Sequence, residues 1–155
     1  MITQQRLQEL FIYKDGLFFN RKTNASCSLV PITNHQRYNR IVVDGKAYAF
    51  HRLVFLYHKG YLPKIIDHID NDRTNNRIEN LREATKQQNC LNRVAHKNNR
   101  SGYKNVHWHS AMKKWSVLIN VDGKRKTIGY FDDVELAGLV AQEARAKFHG
   151  EFACH

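Results

Sequence analysis

Length, composition and charge limit the classes of protein to which this chain can belong. Its 155 residues suffice for one compact domain or two small ones, and a hydrophobic content of 42% predicts a folded core rather than disorder. A formal net charge of +11 is typical of small proteins that contact a polyanion.

Membrane and disulfide-rich classes are disfavoured. No apolar run reaches the roughly 18 residues that span a bilayer, and no charged-then-apolar leader is present, so we expect a cytoplasmic protein with no membrane partner. The three cysteines are Cys27, Cys90 and Cys154. They are far apart and form no C-x-x-C pair, which argues against a disulfide framework and a thiolate zinc site.

In chain order, three Asp-Gly pairs predict tight β-hairpins at residues 15–16, 44–45 and 122–123. Each pair lies between apolar or β-branched stretches, the strongest short-range signal for a hairpin. After the second pair, residues 51–60 (HRLVFLYHKG) predict a short buried helix that ends at Gly60.

Residues 65–81 (IIDHIDNDRTNNRIENL) concentrate acids and asparagines in a basic chain. The apolar start of this stretch predicts a short strand that runs into Asp67 and His68. Residues 81–84 predict the returning strand. Acids in a chain that seeks nucleic acid repel phosphate unless a cation lies between them, so this stretch is a candidate functional site.

A helix is predicted directly after the polar stretch. Thr85 followed by Gln88 is a capping-box pattern, and Asn89 comes in the first turns of the same helix. The implied unit is strand, loop, strand and helix, and its polar rim contains Asp67, His68 and Asn89.

Three other interpretations of the polar residues stay open at this point. A calcium loop of EF-hand type beginning at Asp70 has the wrong spacing and no closing glutamate. A plain solvated loop tolerates the composition but does not account for the flanking strand and capped helix. A zinc site built from His51, His58 and Cys90 is the third alternative.

The pattern D-H-x-D-x-D-x-x-N-N-R-I-x-N-L-R, followed by Q-N, closely resembles the HNH endonucleases of phages and mobile introns. Residues 50–54 (FHRLV) resemble the segment that precedes the motif in the same group. The resemblance implies a ββα-metal fold and a metal-dependent endonuclease that cuts double-stranded DNA.

The resemblance also implies roles for four residues. Asp67 matches a metal ligand, His68 the general base, Asn80 the asparagine that braces the loop, and Asn89 a second metal ligand. Many members have histidine at the last position. An amide oxygen there favours a hard ion, so we expect one Mg²⁺ (or Mn²⁺) per active site. The residues expected to brace the loop or fill it are Asp70, Asp72, Asn75 and Asn76.

The segment after residue 101 resembles the APETALA2-type (ethylene-response-factor) DNA-binding domain. The matching marks are the Gly-Tyr-Lys-Asn-Val run, Lys114-Trp115, Ile128-Gly129-x-Phe131 and an alanine-rich helix that Asp132 or Asp133 caps and Gly150 ends. That fold lays a three-stranded sheet in the major groove, with the helix behind it.

Alternation along the strands predicts which side chains face the helix and which face DNA. Trp115, Val117 and Ile119 are expected to pack on a helix face bearing Leu136, Leu139, Val140, Ala144 and Phe148, with Val106 and Trp108 also inward. The predicted DNA-binding set faces outward and comprises Lys104, His107, His109, Ser116, Asn120, Arg125 and Thr127.

These observations predict an α+β protein. Residues 1–92 are expected to hold N-terminal β-hairpins and an HNH nuclease module, 93–102 a linker, and 103–155 a three-stranded antiparallel sheet packed on one helix. The predicted function is homing-type hydrolysis of phosphodiester bonds at a preferred DNA site, by a monomer or homodimer. The alternative is a non-catalytic DNA-binding regulator with a decayed nuclease module. No aromatic RRM strand motif or KH-type GXXG loop favours an RNA-binding protein.

Overall fold

The three Asp-Gly hairpins all form in the computed structural model, which describes residues 2–31, 37–94 and 98–154. In each turn both central residues have positive φ angles, for example 50° at Asp15 and 83° at Gly16, as a type I′ turn requires. Small antiparallel sheets combine with helices, which confirms the predicted α+β fold class.

The chain divides into two compact units, Met1–Lys86 and Gln87–His155. The elements of the first unit are α1 (Gln4–Leu10), β1 (Phe11–Lys14), β2 (Leu17–Asn20), β3 (Arg40–Val43), β4 (Lys46–Ala49), α2 (Phe50–Lys59), β5 (Ile66–His68), a 3₁₀ turn (Ile78–Asn80) and β6 (Leu81–Glu83). Helix α3 (Lys86–Leu91) begins at the last residue of the first unit. Gly60 ends α2 with a φ of 78°, as predicted.

Helix α1 has no counterpart in the sequence-based prediction. The Thr3 side chain caps it by accepting a hydrogen bond from the Arg6 amide at 3.2 Å, and Leu7 is completely buried. A threonine followed by residues with good helix propensity is the local signal for this element.

The core of the first unit forms around α2. Phe50 and Leu53 are at most 1% exposed, and the Phe50 ring packs edge-on against Phe18 with 5.3 Å between ring centroids. Ile66 and Leu81 join this core from β5 and β6. The core therefore anchors the short strand pair that carries Asp67 and His68.

The second unit is a three-stranded antiparallel sheet, in the order β7-β8-β9, with one long helix. Asp133 caps the helix by accepting a hydrogen bond from the Leu136 amide at 2.6 Å, and Gly150 ends it. The element bounds are β7 (Val106–His109), β8 (Lys114–Val121), β9 (Lys124–Phe131), α4 (Val134–His149) and a 3₁₀ turn (Gly150–Phe152).

The face of α4 that packs on the sheet differs from the predicted one. Leu136 and Leu139 are 50% and 62% exposed, whereas Ala137 and Ala141 are at most 1% exposed. The placement of both leucines in the core was therefore wrong. The small alanine side chains let the helix lie close to the sheet. Bulky side chains of the sheet, such as Trp115, fill the space between the helix and the sheet.

The other inward predictions for this unit had mixed outcomes. Val117 and Ile119 are buried as expected, and Val140 packs against the core. Trp108 pairs with Trp115 and so lies on the predicted face of the sheet, but it is 52% exposed rather than buried. Its strand β7 is at the edge of the sheet, and its ring packs edge-on against Trp115 with 5.1 Å between centroids.

Among the helices of the described residues, none is long and apolar enough to cross a membrane.

Candidate active site

The strand pair β5–β6 carries the two residues that begin the DH motif. Asp67 pairs with Arg82 and His68 with Leu81 in the antiparallel register. Both Asp67 and His68 are 5% exposed. Because successive strand residues point to opposite faces, the carboxylate and the imidazole have different neighbours.

His68 faces a buried asparagine. Its Nε2 lies 3.1 Å from Oδ1 of Asn76, and Asn76 is only 4% exposed. The amide nitrogen of Asn76 donates to the Thr74 carbonyl at 3.1 Å, which leaves Oδ1 as the group facing the ring. Nε2 is then the donor, and Nδ1 is the nitrogen that can take up a proton.

Two further rings surround His68. The His51 ring lies 5.3 Å from it and the Tyr38 ring 6.1 Å, centroid to centroid, while Tyr38 and His51 are 4.4 Å apart. Burial, with smaller contributions from the charges of His68 and Arg52, lowers the pKa of His51 to about 3. His51 is therefore neutral at physiological pH and forms part of the wall beside His68.

Asp67 is held by an arginine on the neighbouring strand. Arg82 donates to Oδ2 of Asp67 from Nε at 3.0 Å and from Nη2 at 2.9 Å. The side chains are 13% and 6% exposed for Arg82 and Asp67. A buried carboxylate needs such compensation, because an unpaired charge in the protein interior is strongly unfavourable.

Asn80 connects the two ends of the polar loop. Its Nδ2 donates to Oδ1 of Asp70 at 2.9 Å and to the Asn75 carbonyl at 2.8 Å, and its Oδ1 accepts from the Asp70 amide at 3.1 Å. Burial opposes the charge of Asp70, but hydrogen bonds from Asn75 and Asn80 outweigh it and hold the pKa of Asp70 below its usual range.

Asn89 lies on α3 in the second unit and is partly buried. The part of the chain that the structure describes contains no group of three or more His, Cys, Asp and Glu side chains able to hold a metal. Among the described residues, His51, His58 and Cys90 therefore do not form the cluster that the zinc alternative requires. Within the first unit, the buried Asp67 carboxylate is an oxygen donor of the kind that suits a hard ion such as Mg²⁺.

The outward face of the second unit's sheet presents much of the predicted DNA-binding set. His107, Asn120, Arg125 and Thr127 are exposed, and Asn120 pairs directly with Arg125 across β8 and β9. His109 is partly buried. Polar, exposed side chains on adjacent strands are the arrangement that groove recognition requires.

Two members of that set are not exposed to solvent as predicted. Ser116 is 3% exposed, and its hydroxyl donates to the His107 carbonyl at 2.9 Å. Lys104 is partly buried, and its Nζ donates to the Leu91 carbonyl at 2.6 Å. Their predicted outward exposure was wrong, because each polar group is used by the unit's own backbone.

Tyr130 lies on the outward face and was missed. Its ring packs edge-on against His109 with 5.3 Å between centroids, and it is 39% exposed. Val117 pairs with Gly129 but Leu118 pairs with Thr127, so β9 contains an extra residue at that point. Such a bulge reverses the alternation, and simple period-two counting therefore places Tyr130 on the wrong side.

Comparisons with known proteins define the class. Residues 48–91 match the family model described as HNH endonuclease, and a phage protein is similar to this chain along 90% of its own length. The chain therefore belongs to one family with this phage protein, and its residues 48–91 contain an HNH endonuclease domain, which supports the predicted nuclease. An HNH nuclease domain implies a nucleic-acid substrate.

The phage relative is Protein 3.8 of Escherichia phage T7. It is 32% identical to this chain over 110 residues, which cover 70% of the chain. No solved structure gave a significant match.

Proposed function

We propose that the chain is a divalent-metal-dependent endonuclease of the homing type that hydrolyses phosphodiester bonds at a preferred site in double-stranded DNA. The observation that carries this proposal is the buried His68, held through Nε2 by Asn76 and adjacent in sequence to the buried Asp67. A histidine fixed in one tautomer is suited to proton transfer from water.

In this proposal His68 is the general base and takes the proton of the attacking water at Nδ1. Asn76 keeps the ring oriented, and Asn80 braces the loop that carries Asn76. An imidazole can take up and release a proton, which suits histidine to the role of general base. Attack at phosphorus then leaves 5′-phosphate and 3′-hydroxyl ends.

Asp67 and Asn89 are the proposed holders of one Mg²⁺ or Mn²⁺. Such an ion would supply positive charge to the phosphate and the leaving oxygen. The exposed Arg73, whose guanidinium carbon lies 5.6 Å from the Tyr38 ring centroid, adds a protein charge near the rings that surround His68.

The second unit is the proposed DNA reader. Its antiparallel sheet and single helix support the resemblance to APETALA2-type domains, and its outward face carries His107, Asn120, Arg125 and Thr127. We add Tyr130 to this set because its aromatic ring is exposed on the same face. One chain carries one catalytic set, so a monomer nicks one strand and a homodimer can cut both.

One observation favours the alternative of a DNA-binding regulator with a decayed nuclease module. Arg82 donates to Oδ2 of Asp67 from both Nε and Nη2, and a guanidinium competes with a metal ion for the same carboxylate. This observation predicts binding of DNA without cleavage.

Incubation of supercoiled plasmid with the full chain separates the two functions. The nuclease proposal predicts nicked or linear plasmid with Mg²⁺ or Mn²⁺ and intact plasmid with EDTA. Plasmid that is bound, as shown by gel retardation, yet stays supercoiled with every divalent ion would support the regulator instead.

A further inference from the structure

A small cavity in the second unit lies outside the nuclease motif and away from the outward sheet face. It has a volume of about 240 Å³ and lies between the loop before β7 and helix α4. Its lining includes Tyr103, Lys104, Gly138, Arg145 and Cys154. The cavity is tightly built, because a Cβ added at Gly138 would lie 2.4 Å from the Tyr103 ring.

Two cationic side chains line this cavity, and within the part of the chain that the structure describes neither has an acidic partner. Arg145 is 5% exposed; its Nη1 donates to the Lys104 carbonyl at 2.8 Å, and its Nε has no hydrogen-bond partner among the described residues. Lys104 donates to the Leu91 carbonyl. Across residues 2–31, 37–94 and 98–154, no carboxylate forms an ion pair with either cation.

This arrangement is energetically incomplete. A guanidinium stays protonated in proteins, and burial lowers the pKa of both Lys104 and Arg145. A buried donor without an acceptor and a buried cation without a counter-charge both cost free energy. An oxyanion would satisfy Nε and compensate both charges with charge-assisted hydrogen bonds.

We infer that the cavity between Lys104 and Arg145 is an oxyanion site that takes a phosphate group. The planar guanidinium with an ammonium beside it is the donor set that recognises phosphate oxygens. The phosphate comes either from inorganic phosphate or from a nucleic-acid backbone. This site does not depend on cleavage by the nuclease motif.

The test uses the full chain at constant ionic strength, with inorganic phosphate titrated against chloride and binding followed by calorimetry or amide chemical shifts. Saturable phosphate binding that weakens at least tenfold in Arg145→Met is expected. Lys147→Met removes an exposed charge from the same helix and should leave the affinity unchanged. If Arg145→Met does not fold, Lys104→Met serves as the test variant, and the same loss of phosphate affinity is expected.

A second arm measures affinity for a short DNA duplex at several salt concentrations. If the backbone supplies the phosphate, Arg145→Met lowers DNA affinity and reduces the slope of log K against log salt by about 1. If free phosphate is the ligand, the phosphate arm alone responds. The inference is overturned if neither arm distinguishes Arg145→Met from Lys147→Met.

The thiol of Cys154 offers a rival explanation, because a thiolate could supply the missing negative charge. In that case the wild-type chain would not bind phosphate, and Cys154→Ser would gain binding. Equal phosphate affinity in Cys154→Ser and wild type is the result that the oxyanion site predicts.

Discussion

Nε2 of His68 lies 3.1 Å from Oδ1 of Asn76, and both side chains are at most 5% exposed. The partner amide is fixed in turn by its own bond to Thr74. A buried histidine whose one nitrogen is already used as a donor presents the other nitrogen in a defined direction. In the proposed mechanism, the loop from residue 70 to residue 80 therefore contributes by orienting the His68 ring.

The first prediction concerns Asn76. Asn76→Ala removes the acceptor for Nε2, so the cleavage rate should fall about 10–100-fold while DNA affinity stays within twofold. Asn76→Asp keeps an oxygen acceptor and should retain more activity than the alanine variant. Single-turnover cleavage and gel retardation provide the two readouts.

Glu79→Gln, an exposed change in the same loop, is the control and should cleave at the wild-type rate. Equal rates for Asn76→Ala and Glu79→Gln would show that the Asn76 amide does not orient the base.

The second prediction concerns Asn80. Asn80→Ala removes three hydrogen bonds that join the ends of the loop, so the free energy of unfolding should fall by about 1–3 kcal/mol. Urea denaturation measures the change. A loss below about 0.3 kcal/mol would mean that the loop keeps its conformation without this side chain.

The third prediction concerns pH. An unfolded histidine has a pKa of about 6.5, whereas the pKa of folded His51 is about 3. As pH falls below about 6.5, the unfolded chain takes up a proton that the folded chain does not. Because of His51, the free energy of unfolding therefore decreases by about 1.4 kcal/mol for each unit by which the pH falls between about pH 6 and pH 4.

Urea denaturation of wild type and His51→Gln across that range isolates this contribution from those of other groups. In His51→Gln the free energy of unfolding should decrease less steeply as the pH falls. The variant His107→Gln, which changes an exposed histidine, should follow the wild-type curve. Parallel curves for wild type and His51→Gln would mean that the ring is protonated in the folded state.

The fourth prediction concerns the buried pair on β5 and β6. Arg82→Met leaves the Asp67 carboxylate without its guanidinium and should reduce the free energy of unfolding by about 3–5 kcal/mol. The double variant Asp67→Asn with Arg82→Met should recover part of this loss. Additive effects of the two changes in a double-mutant cycle would show that the pair is not coupled.

Local signals in the sequence were sufficient for several elements. The Asp-Gly turns, Gly60 at the end of α2 and the Asp133 cap of α4 each depend on conformational preferences of one or two residues. Such preferences act before any tertiary contact forms. The apolar start at Ile65 and Ile66 similarly located the strand that carries Asp67 and His68.

Features that depend on tertiary packing could not be predicted from the sequence. Nothing local indicates that the alanines rather than the leucines of α4 face the sheet, or that a bulge brings Tyr130 outward. The pairing of His68 with Asn76, rather than with a neighbouring asparagine, depends on how the loop folds back. These outcomes depend on the close approach of segments distant in the chain.

The central claim is that His68 is the base of a DNA-cleaving site, and the most direct measurement compares wild type with His68→Ala. Both proteins are incubated with supercoiled plasmid and Mg²⁺ under single-turnover conditions, and DNA affinity is measured in parallel with EDTA. The account predicts cleavage by wild type and a rate at least about 100-fold lower for His68→Ala at equal affinity. Cleavage by His68→Ala at the wild-type rate would contradict it.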